Sequence, residues 1–233
     1  MYYFDMYYIV LVLPMVILSL VAQAMVSSRF SKYSKVRTMR NLTASEAVRQ
    51  ILDENGLQNV KIERVSGNLT DHYDPKSNVI RLSDSVHSST SVAAIGVAAH
   101  EAGHAVQHAK SFAPIRWRNS LVPAANLGSK LSIPLIIVGL VLMGMESAMG
   151  TMVVYFGIAL FSLAVLFQIV TLPVEFDASN RAIKTLSEGG YLYQEEVGMV
   201  KKVLSAAAMT YVAAAATSIA QLLRLILIAR DRD

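Results

Sequence analysis

Residues 131–172 form an almost wholly apolar run whose one charged residue is Glu146. Wound as one helix, this run would be roughly 60 Å long, about twice the hydrocarbon thickness of a bilayer. It therefore reads as two crossings, a hairpin that turns around 145–150. Two further apolar stretches flank the rest of the chain. One covers 7–26, interrupted by Pro14, Ser19 and Gln23; the other covers 206–229, is rich in alanine and holds Arg224. Of the 233 residues, 54% are hydrophobic and 16% charged, against about 25% charged in soluble domains. Disorder, a coiled coil and a disulfide-stapled secreted module are all excluded, the last because the chain has no cysteine. The expected class is an α-rich membrane protein of α+β type with three to four transmembrane helices and a small sheet.

The charge pattern gives the expected topology. Arg29, Lys32, Lys35, Arg37 and Arg40 follow the first span with no acid among them, whereas residues 1–6 carry Asp5 and no base. A cleaved signal peptide, which Ala22-Gln23-Ala24 would otherwise permit, lacks its basic leader here. The positive-inside rule then places the flank after the span in the cytoplasm. The expected organisation follows from this. Residues 1–6 are an extracytoplasmic N-terminus, 7–26 a transmembrane anchor and 27–130 a cytoplasmic region. Residues 131–172 are the transmembrane hairpin, 173–205 return to the cytoplasmic side and 206–229 form a fourth transmembrane helix. Although the net charge is +4 and the pI about 9.3, the bases cluster beside a span as topology signals do. The lipid bilayer is therefore the expected partner, with no nucleic acid. The absence of cysteine suits a reducing compartment.

Within 27–130, Thr43 and Glu46 form a capping box at the start of a helix. Ala47, Val48, Ile51 and Leu52 are its apolar stripe, and Gly56 is its stop. Residues 60–65 and 78–82 read as strands, with turns at Gly67-Asn68 and Asp74-Pro75. The strand at 78–82 is either a sheet edge open to an added strand or an ordinary core strand. A helix over 91–109 follows, alanine-rich and apolar on nearly every face, and so buried. Pro114 closes that region.

That buried helix contains His100-Glu101-Ala102-Gly103-His104, an H-E-x-x-H sequence. Imidazoles four residues apart on a helix share one face and can converge on one Zn2+ about 2.0–2.1 Å from each. Glu101 lies beside the first ligand, where it can take a proton from the water that zinc acidifies. Burying three such polar side chains without a partner would cost several kcal/mol. His108 extends the same face, but ligands at i, i+4 and i+8 spread over roughly 12 Å and cannot surround one ion. A third ligand must come from another element. Glu175, the first acid after the hairpin, is the candidate; its alternative is an exposed helix-start acid favoured by the helix dipole.

The HEAGH sequence, the later Pro173-Val174-Glu175-Phe176-Asp177-Ala178-Ser179, the stretches 69–75 and 78–83, and residues 204–223 together resemble the YugP-like membrane zinc metallopeptidases, a neutral zinc metallopeptidase family. More distantly, the chain is similar to the HtpX group of gluzincin-type membrane proteases. The resemblance covers most of the chain. It implies a zincin-like metal helix on a small sheet, His100, His104 and Glu175 as Zn2+ ligands, and Glu101 as general base. Where the HtpX pattern has an Asp four residues after the Glu ligand, this chain has Ser179. The role of orienting a ligand histidine through its second ring nitrogen then falls to Ser179 or to Asp177. Tyr211 is a candidate donor to the oxyanion of the transition state, against the alternative of a purely structural hydroxyl. Arg224 is expected to snorkel from near the end of its span.

Two functions are expected to compete. One is a membrane-anchored zinc-dependent metalloendopeptidase acting on peptides or on segments of membrane proteins from the cytoplasmic face. The other is a non-catalytic membrane zinc protein serving as a chaperone or regulatory factor. Structural zinc sites are usually closed by four ligands and rich in cysteine, which weighs against the second. No L-D-G follows the HEAGH sequence, as a site-2-type intramembrane protease would require. No G-x-x-x-x-G-K-[ST] is present either, so a nucleotide-driven unfoldase is not built in.

Overall fold

A computed structural model describes residues 5–147 and 149–231. The chain is mostly helical, with one three-stranded sheet. In order, the helices are α1 (Leu13–Tyr33, preceded by a π-wound turn, Tyr8–Val12), α2 (Ala44–Glu54), α3 (Val92–Ala109), α4 (Ala113–Gly144), α5 (Met149–Glu188) and α6 (Gln194–Arg230). The strands β1 (Lys61–Val65), β2 (His72–Asp74) and β3 (Val79–Ser83) lie between α2 and α3. Among the described residues, four helices are long and apolar enough to cross a membrane: Tyr8–Tyr33, Ala113–Gly144, Met149–Glu188 and Gln194–Arg230.

Two compact units divide the chain. One comprises Met1–Ala22, Arg116–Leu172 and Thr210–Asp233; the other comprises Gln23–Ile115 and Pro173–Met209. The first leaves large apolar side chains such as Ile17, Leu20, Ile137, Val141, Met152 and Phe156 exposed. Such a surface suits lipid and not water. Inside it, Ile136, Val154, Ile158, Leu225 and Ala229 pack together. Gly139 and Gly157 let α4 and α5 touch closely, since a Cβ at either would fall 2.7 Å or less from the facing helix. Arg224 does not snorkel alone. Its Nε donates to Asp5 Oδ2 at 2.7 Å and its guanidinium lies over the Tyr8 ring at 5.4 Å. A low-dielectric surrounding favours such pairing over a lone charge.

The second unit holds the polar elements. Thr43 and Glu46 cap α2 reciprocally: the Glu46 N–H donates to Thr43 Oγ1, and the Thr43 N–H to Glu46 Oε2. Gly56 follows the helix at φ +72°, a conformation that favours glycine. The sheet order is β1-β3-β2, with β3 parallel to β1 and antiparallel to β2. The 78–82 strand is therefore the centre of the sheet and not its edge. The reason is β2, a three-residue strand His72-Tyr73-Asp74 with no apolar alternation, which pairs with the side of β3 left open by β1. Buried side chains of α2, β3, α3, α5 and α6, among them Leu52, Ile80, Ile95, Leu186 and Val200, make one core.

Two helix boundaries differ from the sequence reading. Pro114 does not end a region but sits in the first turn of α4, where its missing N–H costs nothing. Pro173 stands inside α5, which runs unbroken from Met149 to Glu188. Glu175 is consequently a mid-helix residue, 5% exposed. The exposed helix-start alternative for it is thereby removed.

Candidate metal centre

The site begins with α3. Ser91 caps it by accepting from the Ala94 N–H at 3.2 Å, and alanines at 93, 94, 98, 99, 102 and 105 are all buried. Side chains this small let neighbours approach α3 from every direction. At Gly103 the approach is close: a Cβ there would lie 2.7 Å from the backbone oxygen of Ala178 on α5. Backbone therefore meets backbone, which brings Glu175, one turn earlier on α5, up to the histidines of α3.

His100, His104 and Glu175 converge. The two Nε2 atoms are 3.1 Å apart, and Glu175 Oε2 lies 3.3 Å from that of His100 and 3.5 Å from that of His104. The imidazole rings meet edge to face, with centroids 4.7 Å apart. Ligand atoms at 2.0–2.1 Å around a tetrahedral zinc are separated by about 3.3 Å. The three observed separations bracket that value, and two imidazole nitrogens with one carboxylate oxygen is a donor set that zinc accepts. The residues fit the ion. Burial works against the imidazolium of His104, yet the Glu175 hydrogen bond and the charges of Glu101 and Glu175 outweigh it and raise its pKa. A field that holds a proton on His104 also attracts a divalent cation.

The outer nitrogens of both rings are held. Ser179 Oγ is 3.1 Å from Nδ1 of His100, and Oε1 of Gln107 is 3.0 Å from Nδ1 of His104. Gln107, fully buried, gives its amide hydrogens to Val174 O and Asp177 Oδ2, both at 2.8 Å. Asp177 also accepts from Arg181 Nε at 2.5 Å, and the Arg181 guanidinium lies over the Phe112 ring. Asp177 thus reaches His104 through Gln107, whereas Ser179 approaches a histidine directly. Gln107 was missed from the sequence. Its signal was available, since it stands three residues after His104 and so shares a face of the helix with it.

Glu101 is 8% exposed and follows His100 on α3. Its charge is also felt at Asp71, just before β2. Burial raises the Asp71 carboxyl pKa, the Ser83 N–H and hydroxyl oppose this by donating to it at 2.8 and 3.0 Å, and Glu101 adds to the rise. His108 is exposed, tilted against Tyr73 at 6.0 Å between ring centroids, and outside the three-residue cluster. Tyr211 belongs to the other compact unit.

Comparison with known proteins gives two matches. A family model described as "putative neutral zinc metallopeptidase" matches residues 8–230. The "putative membrane protease YugP" of Bacillus subtilis is 46% identical over 223 residues, which is 96% of this chain and 96% of that protein. No solved structure matches the chain significantly.

Proposed function

Because the chain belongs to that family of neutral zinc metallopeptidases, we propose that it is a membrane-anchored, zinc-dependent endopeptidase. One observation carries the reading: three ligand atoms of the right chemistry at 3.1–3.5 Å from one another, with the buried Glu101 next to the first of them. His100, His104 and Glu175 would hold the ion. When bound, zinc supplies Lewis acidity, which acidifies water and polarises a scissile carbonyl. Glu101 accepts the proton of the attacking water and returns it to the leaving amine, as a positioned carboxylate does in general acid–base catalysis. Ser179 and Gln107 keep the two imidazoles turned with Nε2 toward the ion.

A cluster of three protein ligands leaves a coordination position for water and substrate, whereas a purely structural zinc site closes all four. This favours the enzyme over a non-catalytic zinc protein. We place the active site at the cytoplasmic face. Support comes from the bases that follow the first span and from Lys110, Arg116, Arg118 and Lys130 before the hairpin. Substrates on this reading are peptides or exposed membrane-protein segments near the bilayer.

The test is cleavage of an unfolded reporter protein by the full chain in nanodiscs, with and without a zinc chelator, beside Glu101→Gln. Activity is expected to vanish on chelation, return with zinc, and stay absent in the variant while zinc content is unchanged. Cleavage that survives both treatments would exclude the mechanism.

A further inference from the structure

A second feature lies on the flank of α1 and α6, away from the His-His-Glu cluster in composition and in chemistry. Tyr33 of α1 and Val203 of α6 are buried together, with Phe30 and Met199 packed on them. Beside this contact the two helices part to leave a groove of about 360 Å³. On α6, Lys201 and Lys202 line it with Ala206 and Met209, which follow one and two turns along the same face; on α1, Met25 and Arg29, one turn apart, line it as well. Gly198 lines the charged end, and the space beside its Cα is open.

The division of chemistry along the groove matches the division of the sequence. Met25 and Met209 fall inside the apolar stretches 7–26 and 206–229, and both are exposed. Arg29, Lys201 and Lys202 fall just outside those stretches. Among the described residues no carboxylate pairs with any of the three cations. As topology signals they would need only to be counted, not gathered around one groove from two helices. Three unpaired cations above an apolar trough, at the level where two spans leave the membrane, are complementary to a phosphate headgroup with an acyl chain beneath it.

We propose that this groove is a binding site for an anionic phospholipid, whose phosphate is held by Arg29, Lys201 and Lys202 while an acyl chain lies along Met25, Ala206 and Met209. The site is independent of the zinc reading, because none of its residues belongs to the metal centre.

The test uses the full chain in nanodiscs of equal phosphatidylglycerol and phosphatidylcholine content, with native mass spectrometry reporting which lipid stays bound on release. Wild type is expected to retain phosphatidylglycerol on the order of 10–100-fold over phosphatidylcholine. The Arg29→Gln/Lys201→Gln/Lys202→Gln variant is expected to lose that preference to within about two-fold. Met209→Trp, which fills the apolar end and leaves every charge in place, is expected to lower retention without altering topology. Equal retention of both lipids by wild type, an unchanged preference in the triple variant, or displacement of the lipid by millimolar inorganic phosphate would each overturn the proposal. The last outcome would identify a free-anion site instead.

Discussion

Nδ1 of His104 faces Oε1 of Gln107 at 3.0 Å, and this contact decides which nitrogen of the histidine can bind metal. The Gln107 amide nitrogen is already committed to two acceptors, Val174 O and Asp177 Oδ2. Its oxygen must therefore be the atom turned to the ring, and an oxygen accepts. With Nδ1 committed as the donor to Gln107, Nε2 is the nitrogen left for a metal, and it stands on the side of Glu175 Oε2 and His100 Nε2. Gln107→Met keeps the volume of this fully buried residue and removes the acceptor. It is expected to weaken zinc binding roughly 10–100-fold, read by competition with a chromophoric chelator.

His100 is held differently, by one hydroxyl. Ser179 Oγ lies 3.1 Å from its Nδ1 and is 8% exposed. Ser179→Ala is expected to cost zinc affinity on the order of 10-fold, while Ser179→Asp, with a charged and stronger acceptor, is expected to hold zinc at least as tightly as wild type. Chelator competition on the two variants side by side checks the order. A tighter alanine variant would show that Ser179 does not orient the ring.

The meeting of α3 and α5 rests on the absence of one methyl group. A Cβ on Gly103 would stand 2.7 Å from the carbonyl oxygen of Ala178, and neither backbone can turn aside. Gly103→Ala is expected to destabilise the protein by about 1–3 kcal/mol and to lower zinc stoichiometry, because Glu175 retreats with α5. Gly96→Ala is the control. Its Cβ would meet a side chain and not backbone, Val200 Cγ1 at 2.9 Å, on a helix that carries no metal ligand. A smaller loss of thermal stability and full zinc occupancy are expected there.

How far the sequence could be read depended on whether a feature was local. The capping box of α2 and the histidine pair of α3 are set by residues within one or two helical turns, and both stand where their spacing puts them. The apolar run 131–172 divides at the expected turn for the same reason, since length alone forbids one crossing. What was misread required knowledge of a partner. The apolar run ends at 172, so Glu175, the first acid after it, reads as the start of a new element, whereas α5 continues through Pro173. His72-Tyr73-Asp74 carries no strand pattern and becomes a strand only because β3 offers it an open side. The Gln107–Asp177–Arg181 chain links residues about seventy positions apart, and Arg224 finds Asp5 from the other end of the sequence.

That last pair gives a prediction free of any assumption about zinc. Arg224 donates through Nε to Asp5 Oδ2 at 2.7 Å, and its guanidinium covers the Tyr8 ring. Both charges sit among apolar helices, so removing one leaves the other without compensation. Fully buried pairs lose about 3–5 kcal/mol when one partner is deleted. Here the side chains keep 23% and 29% of their exposure, and a loss of about 1–3 kcal/mol is expected for Asp5→Ala. Replacing both residues, as Asp5→Ala/Arg224→Leu, removes the orphaned charge and is expected to recover most of the stability. Thermal unfolding of the single and double variants in nanodiscs checks this. If the double variant is as unstable as the single one, the stabilisation comes from packing of the arginine stem and not from the ion pair.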